Sequence, residues 1–274
     1  MANLEDELGD IVSKARMGLG YSVDKLAAAT GISIFDIENI EAYRYLPKRD
    51  YIDKLAQVLS LNSDKLADIA AGAWTPNVSL PHNGIYLENI PVSYGSYKEN
   101  CYILGCKETH VAAVVDPGGE VDTILHHLSE NELNLELILI THAHADHIGG
   151  MSGLLDVIPN ARLTGNESIA RFSSYKWEIA RDGVPVQFGS LSIKPLYTPG
   201  HTQDSTCYLV DELCFVGDTL FAGSIGRPST PQIYKQMLKN IRHKLLSLPE
   251  DTILLPGHGP AATVGEERSH NPFF

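Results

Sequence analysis

The sequence contains no apolar run long enough to cross a membrane, and its first residues lack the basic region and apolar stretch of a secretory signal. Positive charge is also scarce, because 21 Lys and Arg stand against 34 Asp and Glu and leave a formal net charge of −13. This charge repels polyanions and disfavours nucleic acid as the bulk substrate. We therefore expect a cytoplasmic protein that does not associate with membranes.

Cysteine is rare as well. There are four cysteines, none of them in a CxxC pair, and each lies in or beside an apolar, strand-like segment. We predict that all four are reduced residues of the core. The remaining composition is ordinary for a globular protein, with 43% hydrophobic and 20% charged residues.

The first part of the chain has a helical pattern. From Leu4 to about Gly72, apolar residues recur at spacings of three and four, which predicts five short helices. Ser22 and Ser33 are placed to cap two of these helices, with Gly31 in the tight turn between them. A stretch with two prolines and a glycine follows, so we predict a helical domain over 1–72 and a linker over 73–84.

Strand-like segments dominate the remainder and alternate with helical patterns, which predicts an α/β domain over 85–274. The predicted strands are 101–104, 111–115, 135–140, 191–196, 207–210, 213–216 and 252–255. The predicted helices are 121–128, 168–175 and 232–248.

One predicted strand leads directly into a dense group of metal-binding residue types. The segment Thr141-His-Ala-His-Ala-Asp-His follows strand 135–140 and supplies His142, His144, Asp146 and His147. Neutral imidazole and carboxylate are the ligands that zinc prefers, and iron and manganese accept them too. The alanines between these residues leave space for ions to approach.

Three further residues of ligand type appear shortly after other strands, each beside Gly or Pro. They are His201 in Thr-Pro-Gly-His-Thr, Asp218 after a glycine, and His258 in Pro-Gly-His-Gly. Glycine beside a ligand lets the backbone turn sharply enough to aim the side chain inward. Since open α/β sheets build sites at the carboxyl ends of their strands, we predict that these residues converge with the histidine-rich segment on metal ions.

Residues 85–274 resemble the metallo-β-lactamase superfamily and, within it, the glyoxalase II branch of hydroxyacylglutathione hydrolases. The similarity lies in THAHADHIGG at 141–150, TPGHT at 198–202, FVGDTLFAGSIGR at 215–227 and LPGHGPAATVGEERSHNP at 255–272. It implies an αββα sandwich that holds two divalent ions at one edge. Zinc is the first candidate for these ions, and iron or manganese are the alternatives.

The resemblance also implies a role for each residue of the site. The seven ligands would divide into a first set, a second set and one bridging carboxylate: His142, His144 and His201; Asp146, His147 and His258; and Asp218. The bridging aspartate argues against a true β-lactamase, because those enzymes have no aspartate at this place.

Two residues outside the ligand set have implied roles as well. Asp116, in a Val-Asp-Pro-Gly-Gly turn, would orient the ligands from behind, with an ordinary turn aspartate as the alternative. Arg227, just beyond the Asp218 loop, would provide a basic contact to the substrate. The resemblance to glyoxalase II proteins reaches their final histidine and does not include their helical C-terminal domain, which carries basic glutathione contacts, so it implies hydrolysis without implying glutathione specificity.

The implied reaction is hydrolysis of a thioester or ester by a metal-bound hydroxide that attacks the carbonyl, with Asp146 fixing the orientation of the hydroxide. A thiolate leaves readily because the pKa of a thiol is about 8.5, so no further general acid is needed. Three alternatives stay open. The first is a mononuclear iron persulfide dioxygenase, a family that the histidine motif also resembles, in which His142, His201 and Asp218 would bind the iron. The others are a lactonase and a metal-sensing transcriptional regulator.

The helical pattern over residues 8–70 resembles the Cro/repressor-like helix-turn-helix family, in Leu26-Ala-Ala and Gly31-Ile-Ser. DNA binding is disfavoured all the same, because residues 1–72 carry twelve Asp and Glu against eight Lys and Arg. The recognition helix would present Ile34 and Phe35, where base-reading residues are usually Arg, Gln or Asn. These apolar side chains suit a protein contact, so we expect self-association into a homo-oligomer or docking of a partner protein. A purely structural appendage is the remaining alternative.

Overall fold

Helices occupy the first part of the chain, and strands with interleaved helices occupy the rest. The computed structural model describes residues 4–79, 84–95, 97–171, 174–228 and 230–274. The α-helices are α1 Leu8–Gly18, α2 Val23–Thr30, α3 Ile34–Glu41, α4 Arg49–Leu59, α5 Ser63–Ala70, α6 Val121–Glu130, α7 Ala145–Ile148, α8 Met151–Val157, α9 Glu167–Ala170, α10 Pro231–Asn240 and α11 Val264–His270. The strands are β1 Ile85–Tyr94, β2 Tyr97–Cys106, β3 Val111–Val115, β4 Asn134–Leu139, β5 Arg162–Gly165, β6 Trp177–Ile179, β7 Val186–Phe188, β8 Leu191–Tyr197, β9 Thr206–Val210, β10 Leu213–Gly217, β11 Leu220–Phe221, β12 Ser224–Ile225, β13 Ile253–Pro256 and β14 Ala262–Thr263.

The strands form two six-stranded sheets and one small hairpin. The order is β1-β2-β3-β4-β5-β6 in the first sheet and β14-β13-β10-β9-β8-β7 in the second, while β11 pairs with β12. β3, β4, β5 and β6 run parallel, whereas β1, β2 and β3 pair antiparallel. In the second sheet β10 pairs parallel with β13 and antiparallel with β9. Both sheets are therefore mixed.

The inner faces of the two sheets meet in an apolar core. Leu104 from the first sheet and Phe188, Tyr208 and Phe215 from the second are almost completely buried in one cluster. The rings of Tyr102 and Phe215 meet edge to face, with centroids 5.4 Å apart. This packing is that of two sheets sandwiched face to face.

Helices cover both outer faces. On the first sheet, Ile124 of α6 and Leu154 of α8 pack with Ile138 in a second core cluster. On the second sheet, Met237 of α10 packs with Val216 in a third. The order of layers is helix, sheet, sheet, helix, so the predicted αββα sandwich is confirmed.

The five predicted N-terminal helices are all present. The Ser22 hydroxyl accepts a hydrogen bond from the Lys25 amide at 3.1 Å and caps α2, and Ser33 caps α3 in the same way. Between them Gly31 ends α2 in the left-handed conformation, with φ 70°. The local features of a helix, a tight turn and a second helix therefore form as the sequence predicts.

These helices pack against the α/β part through a continuous apolar core. Ile11 of α1 and Leu55 of α4 belong to the same buried cluster as Met237 of α10. Polar contacts add to this packing, because Lys14 Nζ donates to the Ile225 carbonyl at 2.7 Å and Lys65 Nζ donates to the Phe274 carbonyl at 3.0 Å. The division at 1–72, 73–84 and 85–274 stays a prediction, and residues 80–83 of that linker lie outside the described residues.

Two sequence-based expectations need correction. The helix predicted over 168–175 is limited to the single turn Glu167–Ala170, because Trp177 already pairs with Leu163 in a parallel strand and the chain must extend to reach it; residues 172–173 lie outside the described residues. The first strand, Ile85–Tyr94, was not predicted, since Pro91 interrupts its apolar pattern. Proline is tolerated there because β1 is an edge strand.

No helix in the described parts of the chain is long and apolar enough to cross a membrane. All four cysteines lie among the described residues, where they are buried and unpaired, as predicted.

Candidate metal centre

Four strand ends and one helical turn bring the predicted ligands together. His142 and His144 follow β4, and the single turn α7 then places Asp146 and His147 on the same side. The loops after β8, β10 and β13 carry the remaining three ligands, His201, Asp218 and His258. All seven predicted residues thus lie at one edge of the sandwich, as expected for side chains at the carboxyl ends of strands.

The first set of ligands converges tightly. His144 Nδ1 lies 3.0 Å from His142 Nε2 and 3.0 Å from His201 Nε2. Asp218 Oδ2 lies 3.4 Å from His201 Nε2 and 3.9 Å from His142 Nε2. In a tetrahedral zinc site with metal–nitrogen distances of about 2.0–2.1 Å, ligand atoms lie roughly 3.3 Å apart. The spacing of these four side chains fits that geometry.

The second set lies beside the first and shares the same aspartate. His258 Nε2 is 3.5 Å from Asp146 Oδ2 and 3.7 Å from Asp218 Oδ2. His147 Nε2 is 3.4 Å from the other oxygen of that carboxylate, Asp218 Oδ1. Asp218 therefore faces both sets of histidines, which is the position that a bridging ligand requires.

Two buried ligand atoms without hydrogen-bond partners, and a glycine packed against them, are consistent with bound cations. His147 Nε2 and Asp218 Oδ1 are fully buried, yet neither has a hydrogen-bond partner in the part of the chain that the structure describes. Such orphaned polar atoms are costly unless an ion or water satisfies them. A Cβ on Gly257 would lie 2.5 Å from Asp218 Oδ1 and 2.5 Å from His147 Cε1. Glycine is therefore needed here to keep the space between these two ligands open.

The charges of the site also suit cation binding. Burial lowers the pKa of His142 well below its usual value, so its ring stays neutral. Burial opposes the ionisation of Asp218, but His147 and the other nearby histidines outweigh it and hold the pKa of this carboxyl well below its usual range. At His147 burial again disfavours the charged form, but Asp218 and Asp116 raise its pKa, so an ion must displace a proton there.

Asp116 lies beside His142 and His147, with its carboxylate within 4.8 Å of a ring nitrogen of each. Its Oδ2 accepts hydrogen bonds from His147 Nδ1 at 2.9 Å and from Thr141 Oγ1 at 2.6 Å. Its Oδ1 accepts from the Thr141 amide at 2.7 Å. Because Nδ1 of His147 is held in this way, Nε2 points to Asp218. These contacts place Asp116 where an orienting residue would lie, and that role stays a prediction.

Glu99 is a buried carboxyl behind His147 that sequence reasoning missed. Glu99 Oε1 lies 3.8 Å from His147 Nδ1, and neither oxygen has a hydrogen-bond partner among the described residues. Burial raises the pKa of Glu99 to about 10. No local pattern marks this residue, because its burial depends on strands that are distant in sequence.

A cavity of about 590 Å³ opens onto the ligands. Arg227, predicted to contact the substrate, lies in its wall, and the Arg227 carbonyl lies 3.1 Å from His201 Nδ1 and fixes that ring. The rest of the wall contains residues of the N-terminal helices that sequence reasoning did not connect with the site: Glu5, Asp6, Asp10, Lys14 and Tyr43. One signal was available, since Lys14 occupies the apolar stripe of α1 and is buried.

Comparisons with known proteins agree with this geometry. Residues 95–258 match the family model of the metallo-β-lactamase superfamily. Hydroxyacylglutathione hydrolase GloC from Haemophilus influenzae is 32% identical over 210 residues, which cover 69% of this chain and 97% of that protein. The N-terminal helices lie outside the matched residues of the family model.

Solved structures with the same fold include proteins of several kinds. The B3 metallo-β-lactamase BLEG-1 superimposes with a TM-score of 0.61 at 28% identity, covering 69% of this chain and 99% of that one. ETHE1 from Myxococcus xanthus gives 0.61 at 30% identity, covering 68% and 83%. TTHA1623 in a di-iron-bound form gives 0.55 at 29% identity, covering 68% and 100%. With this fold, this ligand set and the family match over most of its length, the chain belongs to the metallo-β-lactamase superfamily.

Proposed function

We propose that this protein is a two-metal thioesterase of the hydroxyacylglutathione hydrolase type. The observation that carries the proposal is the position of Asp218 between the two sets of histidines: its Oδ2 faces both His201 and His258, and its Oδ1 faces His147. The similarity to GloC over nearly the whole length of that protein supports the reaction class. Zinc is our first candidate for the ions, and the di-iron form of TTHA1623 supports iron as the alternative.

The residues of the site fit hydrolysis of a carbonyl compound. Two divalent ions supply a water with a pKa of roughly 7 and stabilise negative charge on a carbonyl oxygen. Asp146, with Oδ2 3.5 Å from His258 Nε2, is placed to accept a hydrogen bond from the attacking water and so to orient it. Arg227 in the cavity wall would bind a carboxylate of the substrate. The thiolate needs no general acid because it is a good leaving group.

Hydrolysis of S-lactoylglutathione, followed by thiol release, tests the proposal. We expect turnover by the protein loaded with zinc, iron or manganese, and a loss of more than roughly 100-fold in His258→Ala. His243→Ala is the matched control, because His243 is an exposed histidine away from the ligands. The proposal fails if the wild type releases no thiol with any of these metals, or if both variants keep full activity.

The second candidate is a mononuclear iron persulfide dioxygenase, and the similarity to ETHE1 supports it to some extent. It would use His142, His201 and Asp218 on one iron, and would leave Asp146 and His258 without a function. The hydrolase accounts for both, so we prefer it. Oxygen uptake with glutathione persulfide, together with one iron per chain, would reverse this preference. A lactonase is distinguished by release of a hydroxy acid without a thiol.

DNA binding is not part of the proposal. The exposed face of α3 shows Phe35, which is 73% exposed, and Ile34, which is 43% exposed. These apolar side chains support a protein contact such as self-association, and so count against a metal-sensing regulator. Saturable, sequence-selective binding of DNA in a gel shift at low salt would contradict this preference.

A further inference from the structure

The first helix lies along the wall of the metal cavity. Asp10, Lys14 and Met17 are spaced by four and three residues, so they share one face of α1. Asp10 and Lys14 line the same cavity as the ligand His144. Met17 Sδ lies 3.3 Å from Nη1 of Arg227, which lines that cavity too. This face of α1 is thus part of the site.

Tyr43, in the turn after α3, extends the same wall. Its hydroxyl donates a hydrogen bond to Asp10 Oδ1, and its side chain is 58% exposed to the cavity and solvent. Its backbone is left-handed, with φ 58°, which is uncommon for a bulky residue. A Cβ on Gly9 would lie 3.2 Å from Tyr43 Cε1 and 2.6 Å from the Ile40 carbonyl, so glycine permits this close approach.

The charges of the wall do not cancel. Lys14 forms a buried ion pair with Asp6, with side chains 5% and 7% exposed, so these two charges offset each other. Glu5 forms no hydrogen bond or ion pair with any residue that the structure describes. Asp10 accepts hydrogen bonds from Tyr43 and from the Glu7 amide, and it forms no ion pair with any of the described residues. Apart from the Lys14–Asp6 pair, the N-terminal wall residues and Arg227 therefore contribute the carboxylates of Glu5 and Asp10 and one guanidinium, which is a net negative charge.

We propose that the N-terminal helices form the substrate-recognition wall of this active site, and that Glu5, Asp10 and Tyr43 bind an ammonium group in the thiol part of the substrate. The inference rests on the proposed thioesterase function. Carboxylates attract a cation, and the exposed ring of Tyr43 offers its face to the same group. The metal ions are positive, whereas the carboxylates of Glu5 and Asp10 are negative. A substrate that spans the site therefore needs a carbonyl oxygen at the metal end and a cation at the other end.

A pair of thioesters with the same shape and different charge tests the inference. Acetylthiocholine carries a quaternary ammonium, and S-(3,3-dimethylbutyl) thioacetate is its neutral carbon isostere. We expect kcat/KM to be about tenfold higher for the cationic ester, with most of the difference in KM, since a charge pair in a half-solvated cavity is worth about that much. Glu5→Gln and Asp10→Asn together should abolish the preference.

Glu38→Gln is the matched control, because it removes one negative charge from the exposed part of α3, away from the cavity. It should leave the preference intact. Equal kcat/KM for the two esters in the wild type, or a preference that survives in the double variant, overturns the inference while the hydrolase stands.

A binding measurement separates the two proposals if neither ester is hydrolysed. In that case these esters give the thioesterase no support. Calorimetry then measures the binding of the two product thiols and tests the recognition wall independently of hydrolysis. Tighter binding of thiocholine than of 3,3-dimethylbutane-1-thiol, lost in the double variant, supports it. Equal binding of the two thiols overturns it.

Discussion

Replacing Asp116 by Asn should weaken metal binding without unfolding the protein. Asp116 accepts hydrogen bonds from His147 Nδ1 at 2.9 Å and from Thr141 Oγ1 at 2.6 Å, and it is 2% exposed. Its backbone is left-handed, with φ 50°, a conformation that Asn tolerates better than most residues. The substitution therefore changes the charge and one acceptor oxygen while the turn keeps its shape.

The expected loss of metal affinity follows from the position of Asp116 behind the predicted ligand His147. Its carboxylate fixes which nitrogen of His147 carries the proton and aims Nε2 at Asp218. Loss of such a partner typically lowers metal affinity 10–100-fold, or about 1.4–2.7 kcal/mol. We expect the metal held by His147, Asp146 and His258 to be the one that weakens.

Competition with a chromophoric chelator measures both affinities, and elemental analysis after dialysis measures occupancy. Asp122→Asn is the control, because Asp122 lies in the first turn of α6 and carries the same charge outside the site. Unchanged affinity for both ions in Asp116→Asn would refute the orienting role of this residue.

Three other predictions concern separate parts of the molecule. His144→Ala should lose one metal and nearly all turnover, because Nδ1 of His144 lies 3.0 Å from two other ligand nitrogens; a fully active variant would remove His144 from the ligand set. Glu99→Gln should make the free energy of unfolding of the metal-free chain depend less on pH. Burial raises the pKa of Glu99 from 4.5 to about 10, so its contribution to stability is full below pH 4.5 and falls as the pH rises toward 10. Urea unfolding at pH 5.5 and pH 8 measures this effect, and an equal change in the free energy of unfolding between these pH values in the wild type and the variant would contradict it. Phe35→Ser should shift a self-associated protein toward monomer in light scattering, whereas a monomeric wild type at micromolar concentration would contradict the expected homo-oligomer.

The sequence predicts the convergence of the seven residues because their signal is local. His142 and His144 follow β4, and the other strand ends carry His201, Asp218 and His258, each beside a glycine, so the strand pattern places them at one edge. Asp116 could also be found in this way, since it follows β3 directly. The fold class follows from the same alternation of strands and helices.

The wall of the cavity could not be predicted, because it depends on contacts between distant parts of the chain. Lys14 meets the Ile225 carbonyl across more than two hundred residues, and the charge on a helix face does not show what it faces. Backbone strain at Tyr43 has no signature in the sequence. Periodicity describes one element at a time, and therefore misses how α1 packs against α10.

The central claim is that two ions share Asp218 between two sets of histidines. Elemental analysis of freshly purified protein, compared with His258→Ala, tests it most directly. We expect about two equivalents of divalent metal per chain in the wild type and about one in the variant. A single equivalent in the wild type, or the same content in both proteins, would contradict it.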